Sequence, residues 1–400
     1  MMGTLGRLIL WSVCLTPCLF GCVTRSGWVV DASLPEAQEE VVKRSPRGVL
    51  WEAAEVDEPS VRGRAIELLI RHDASPGGGK WAQRGLYDPD PWIQRKAVLA
   101  LSHRLDEAET RQLLSEYLER SDVMVNTYSQ GFAGLTLLKA GRVDAVEPSK
   151  DRWKMERERS WRAAPLALTA AYAGDVEAQD YLAEVLRAAD LPLEGEFLLD
   201  VGRSGILNLI PALSEGSDQV EEELFLAYAA ARWSLGDVGG QHVLRRALND
   251  EEIVIRLEAL DWITQLPDME DLLHRASNQK NPKVRWYGEL ALISRGKRPV
   301  ERLSKAILHE DREVRIFAMK YAATVVGSKA ERIAREVIAM GLVDEDPIVR
   351  IESLKSGVIL NTQWKSQQMN ASLADEVLAV RVEAAGAALA AGFKSPQSGE

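Results

Sequence analysis

The stretch Asp346-Pro-Ile-Val-Arg350-Ile-Glu-Ser353 decides the fold, because it returns along the chain. Asp57-Glu-Pro-Ser-Val-Arg62-Gly-Arg-Ala65, Asp90-Pro-Trp-Ile-Gln94-Arg-Lys-Ala97 and Asp311-Arg-Glu-Val-Arg315-Ile-Phe-Ala318 are copies of it. Weaker copies centre on Arg256, Arg285 and Arg381, and a variant runs from Asp122 through Asn126 to Ser129. Aligned on the Arg position, the spacings are 32 (62 to 94), 32 (94 to 126), 29 (256 to 285), 30 (285 to 315), 35 (315 to 350) and 31 (350 to 381). Between 126 and 256 the motif fades but its punctuation persists. Gly141, Gly174, Gly205, Gly236, Pro267, Gly296 and Gly327 follow at 33, 31, 31, 31, 29 and 31 residues. Helix-stopping residues at that beat hold the register through the degenerate middle. About eleven units result.

Each unit reads as two short helices. Asp or Asn opens the second as an N-cap, often with Pro at the first helical position. In Asp90 to Leu101, Ile93, Ala97, Ala100 and Leu101 form its apolar stripe. In the first helices the same logic places Leu303, Ala306 and Ile307, or Ile333, Val337 and Ile338. One such hairpin cannot bury its apolar face alone, so neighbours must stack. Composition agrees: residues are 46% hydrophobic and 27% charged, and period-two runs of Val, Ile and Thr are lacking. The expected fold is all-α, an α-solenoid superhelix over residues 46–392.

The D-x-x-V-R-x-x-A pattern in these segments resembles the HEAT repeats, in particular the shorter HEAT-like type of the phycobilisome lyases. That resemblance implies a right-handed solenoid whose second helices line a curved inner face. Where a family member is a lyase, it attaches or isomerises a tetrapyrrole on another protein. For this chain that activity is the alternative reading.

The N-terminus reads as an address. Arg7 precedes an uncharged apolar stretch, Leu8 to Phe20, the pattern of a secretory signal. Its thirteen residues span roughly 20 Å as helix, short of the ~30 Å hydrocarbon core. Leu19-Phe20-Gly21-Cys22 resembles the lipobox of bacterial lipoproteins, which implies a signal peptide over 1–21 and lipidation at Cys22. By the same resemblance Val23, in place of Asp, implies the outer membrane, facing the periplasm. Residues 22–45 read as a tether and 393–400 as a tail. With Cys14 and Cys18 removed by export, Cys22 alone is left and no internal disulfide can form.

The net charge of −11 becomes −12 without the first 21 residues, whose one charge is Arg7. Such a surface repels phosphate backbones, so nucleic acid is not the expected partner. No cofactor or metal is expected. His72, His103, His242, His274 and His309 are widely separated, and no His-Glu-x-x-His or cysteine cluster occurs. Ser75-Pro-Gly-Gly-Gly-Lys80 glances at a phosphate loop, but Trp81 stands where Ser or Thr must hold magnesium, so it reads as a turn. No Gly-x-Ser-x-Gly elbow occurs, and Glu221-Glu222-Glu223 reads as a solvated helix start. Asp151 to Arg162, with Trp153 and Trp161 among its cations, could meet an anionic surface. Its alternating charges fit a solvated helix face better.

Two sets of residues remain. Arg62, Arg256, Arg285, Arg315, Arg350 and Arg381 recur once per unit, as a structural ladder between repeats should. Two and five places after the Arg position lie off the apolar stripe, which puts Tyr287, Leu290 and Phe317 on the curved face with Trp262 and Tyr321. These five are the candidate protein-binding patch, although rings filling gaps between repeats would follow the same spacing. The expected function is a non-enzymatic scaffold binding a protein or peptide along that face. A spacer within an envelope machine is a further possibility. The last unit, Val377 to Ala391, is apolar and small where a polar cap is normal. Either the tail or another subunit would have to cover it.

Overall fold

The computed structural model describes residues 45–392, apart from 73–75, 121–125, 158–160, 189, 190, 192, 221 and 326. The segments read from the sequence as signal, tether up to residue 44 and tail, with Cys22, lie outside the described residues. Among the described residues twenty-two α-helices form eleven pairs. They are α1 (Pro46–Ala53) with α2 (Pro59–His72), α3 (Gly79–Leu86) with α4 (Pro91–Ser102), and α5 (Ala108–Glu119) with α6 (Thr127–Lys139). Next come α7 (Val146–Glu156) with α8 (Ala164–Tyr172), α9 (Val176–Arg187) with α10 (Gly195–Arg203), and α11 (Ile210–Ser217) with α12 (Glu222–Ser234). Then follow α13 (Val238–Ala247) with α14 (Ile253–Gln265), α15 (Glu270–Ala276) with α16 (Pro282–Ser294), and α17 (Leu303–Ala306) with α18 (Arg312–Ala322). The last are α19 (Ser328–Gly341) with α20 (Pro347–Ile359) and α21 (Ser366–Leu373) with α22 (Leu378–Ala390). Among the described residues there is no strand.

Local chemistry starts five of the second helices. The carboxylates of Asp90, Asp311 and Asp346 accept from the backbone N–H two residues on, and Asn126 and Asn281 from the one three residues on. Each such cap stabilises its helix by about 1 kcal/mol. After most second helices the chain turns through a left-handed residue. Gly174, at φ +88° in open space, takes a conformation that a side chain would strain. Where Pro267 replaces the glycine, Asp268 accepts the positive φ instead. Packing is closest where side chains vanish. A Cβ on Gly216 would lie 1.9 Å from the Leu186 carbonyl oxygen, so α11 can rest on the end of α9 only with glycine there.

The second helices pack side by side from α2 to α8 and from α10 to α22. Between α8 and α10 the outer helices α9 and α11 carry the contact. There α8 is buried from Ala164 to Ala171, while Tyr128 of α6 meets Phe197 of α10 at 6.2 Å and Lys139 pairs with Asp200 at 2.7 Å.

The two ends of the array meet. α22 packs on both α1 and α2. Gly386 lies so close to α2 that a Cβ would sit 2.7 Å from the Leu68 side chain. Arg64 of α2 donates from Nε and Nη2 to the Glu383 carboxylate of α22, at 2.6 and 2.8 Å. The solenoid is therefore a closed ring. Neither the tail nor a second subunit is needed to cover Val377 to Ala391, because the first repeat does so.

Candidate functional site

The residues that the sequence placed in the binding patch are buried. Trp262, Tyr287, Leu290 and Tyr321 are each less than 5% exposed, and Phe317, the most open, is 9% exposed. They do not form a surface patch. Tyr287 packs on Phe317 at 4.3 Å with the rings tilted by 57°, meets Tyr321 edge-on at 5.6 Å, and donates its hydroxyl to Asp261. Being off the apolar stripe did not mean exposure here, because side chains of the adjacent second helices α14, α16 and α18 cover one another on that side.

Charged groups at the same register line the interior. Lys320 of α18 lies in the field of Asp261 of α14, two repeats away, an approach available only on the concave side. Arg64 likewise acts on Lys355 of α20 across the closure. Arg64 also bonds Glu67 at 2.8 Å, Arg71 bonds Glu67 at 2.7 Å, and Lys355 bonds Glu352 at 2.8 Å. Burial alone would raise the Glu67 carboxyl, but Arg64, Arg71 and Lys96 hold it down at about 2. Asp261 is pushed up by burial, against the opposing pull of Lys320 and Tyr287. The signs alternate, so the interior neutralises itself.

His72 closes this network at the end of α2. Burial, then the cations Arg71, Arg64 and Arg104, push its imidazole down to about 4. An unfolded chain binds that proton below about pH 6.5, whereas the ring refuses it until about pH 4. Stability from this group is therefore complete above pH 6.5 and declines as pH falls toward 4. His72→Gln should flatten the change in urea midpoint between pH 7 and pH 5. An unchanged slope would mean that other groups carry it.

The arginine series joins successive repeats. Arg315 donates to the carbonyls of His309 and Glu310 behind it and to the Asp344 carboxylate ahead at 2.8 Å. Arg350 does the same with Asp344, Glu345 and Asp375, and Arg62 with Val56, Asp57 and Asp88. Arg256 reaches Glu251 and Gln279, and Arg381 the carbonyls of Asp375 and Glu376. Arg285 is the exception and stands exposed. At the one Gln in the series, Gln94 donates to the Asp88 carbonyl and accepts from Tyr117 and Asn126.

Other sequence features resolve into architecture. Gly77 of the Gly-rich turn donates its N–H to Glu107 at 2.8 Å, so the turn already holds a carboxylate of its own chain. Trp153 is fully buried against Tyr181, and Trp161 packs on Tyr128. Lys150, Lys154 and Arg157 pair with Asp175 or Glu177 of the next repeat. Among the described residues no three His, Cys, Asp or Glu side chains are placed to hold a metal ion, and no helix is long and apolar enough to cross a membrane.

An exposed aliphatic position recurs through the middle of the chain. Two residues after each turn glycine in four consecutive repeats stands an aliphatic side chain: Val143, Val176, Leu207 and Val238, exposed by 74, 66, 60 and 54%. All four occupy the start of a first-helix segment and so lie along one rim. At interhelical spacings of 8–10 Å the row is roughly 30 Å long. It ends where Met269 takes the equivalent place and is buried. The sequence offered a signal for it, the repeated Gly-x-aliphatic step, in the very stretch where the Asp–Arg motif fades.

No family model and no curated protein matches the chain. Among solved structures, it is similar to an engineered protein from the Northeast Structural Genomics Consortium. The two are 16% identical, with 87% of this chain and 98% of that chain covered, at a TM-score of 0.26. A likeness at that level carries no argument about fold or function.

Proposed function

We propose that the protein is a non-enzymatic interaction scaffold of HEAT type, held at the bacterial envelope by lipid on Cys22, probing for a protein partner with one rim of its ring. The observation that carries this reading is the aliphatic row Val143, Val176, Leu207 and Val238. A regularly spaced apolar row across four consecutive repeats is a surface that a protein contact can use, and solvation gives no reason for it. The curved face, filled by its own side chains, leaves the rim as the place for such a contact.

A photo-crosslinking residue at position 207, in the full chain in membranes, should give a defined adduct. The same residue at exposed Leu308, on the opposite rim, should not. Val176→Asp with Val238→Asp should lower the adduct yield about tenfold or more, the scale of losing a 1.4 kcal/mol contact. Equal yields from both rims would remove the row from consideration. Lipid attachment is tested separately: Cys22→Ser should abolish incorporation of radiolabelled palmitate and release the chain from membranes. Persistent labelling would sink the anchor.

A further inference from the structure

We propose that the cleft beside Arg298 binds a carboxylate carried on a short aliphatic group. The cleft, of about 370 Å³, opens where α16 ends and is walled by Ile293, Val300, Val325 and Ala330, with Arg295 and Arg298 on its lining. That volume suits a small ligand or the end of a peptide. Arg295 is committed, its Nη2 donating to the carbonyls of Thr264 and Leu266 at 3.1 and 3.2 Å. Arg298 is not: its Nε is buried and has no hydrogen-bond partner among the described residues.

The neighbouring cations sharpen the contrast. Lys297 pairs with Glu270 at 3.1 Å, Arg302 with Glu289 at 2.7 Å and Lys329 with Glu301 at 2.6 Å. In an acidic chain whose neighbouring cations are matched, Arg298 lines a partly apolar cleft with its Nε unpartnered among the described residues. A buried donor without an acceptor is costly, and a carboxylate is the group a guanidinium holds through two parallel bonds. The aliphatic walls then ask for an apolar group beside that carboxylate. The inference is independent of the rim contact, because the cleft lies beyond the end of the aliphatic row.

Calorimetric titration of the full chain tests it with three probes: acetyl-Ala-Val with a free carboxylate, its C-terminal amide, and isovalerate. The free-acid peptide or isovalerate should bind saturably, and the amide at least tenfold more weakly than its acid. Binding of the peptide acid alone assigns the site to a chain terminus; binding of isovalerate alone assigns it to a small free acid. Arg298→Gln should weaken binding of whichever acid binds by tenfold or more, with Arg298→Lys intermediate and circular dichroism unchanged in both. Saturation by neither acid, equal affinity for acid and amide, or full binding by Arg298→Gln would each overturn the proposal.

Discussion

Glu383→Ala should lower the stability of the ring by about 3–5 kcal/mol, because it leaves the Arg64 guanidinium without the carboxylate that neutralises it. Glu383 is 3% exposed on its side chain and Arg64 18%, so solvent screens the pair only weakly. Glu67 remains on Arg64 but already serves Arg71. Replacing both partners, Arg64→Met with Glu383→Leu, should recover much of the loss, since apolar pairs of similar volume often match a buried ion pair. Urea unfolding of the single and double variants reads the coupling. Additive losses would mean that the two side chains do not meet, and with that the closure would fail.

Tyr287→Ala should be about as damaging, and by a different route. The ring fills space between α14, α16 and α18, and truncating a buried aromatic side chain costs about 3–5 kcal/mol. It also removes the hydroxyl that donates to Asp261, whose carboxyl burial already pushes up. Tyr287→Phe separates the two contributions by keeping the volume and losing the bond. The variant should unfold earlier in urea while the crosslink at position 207 persists in its folded fraction. Loss of the crosslink at full stability would return Tyr287 to the surface.

The repeat was legible because its signals are local. N-caps, turn glycines and the Val-x-x-x-Ala stripe act within one hairpin, and eleven hairpins follow from their beat. Which way the face of Tyr287 and Phe317 opens is not local. It depends on curvature summed over every interface, and a small change per repeat separates an open groove from a ring. One hint of closure did lie in the chain. At the position two after the Arg site the first repeat carries Arg64 and the last Glu383, and the apolar last unit lacks a polar cap. Opposite charges at matched register in the terminal units only become a contact once the ends meet. The rim row was visible as Gly-x-aliphatic steps, yet a valine beginning a helix looks the same whether its side chain is covered or bare. Arg298 gave no sign at all, because a donor that lacks an acceptor among the described residues is known only from what surrounds it in the fold.

Because α22 rests on α1, no described repeat is left with a bare flank. An open array frays from its tips, where a unit leaves by breaking one interface. Here the first unit to go must break two, so melting has to begin with a breach before it can spread. The chain also has no privileged starting hairpin: fusing the last helix to the first and cutting at the Gly174 turn would preserve every neighbour while moving the termini to the far side of the circle.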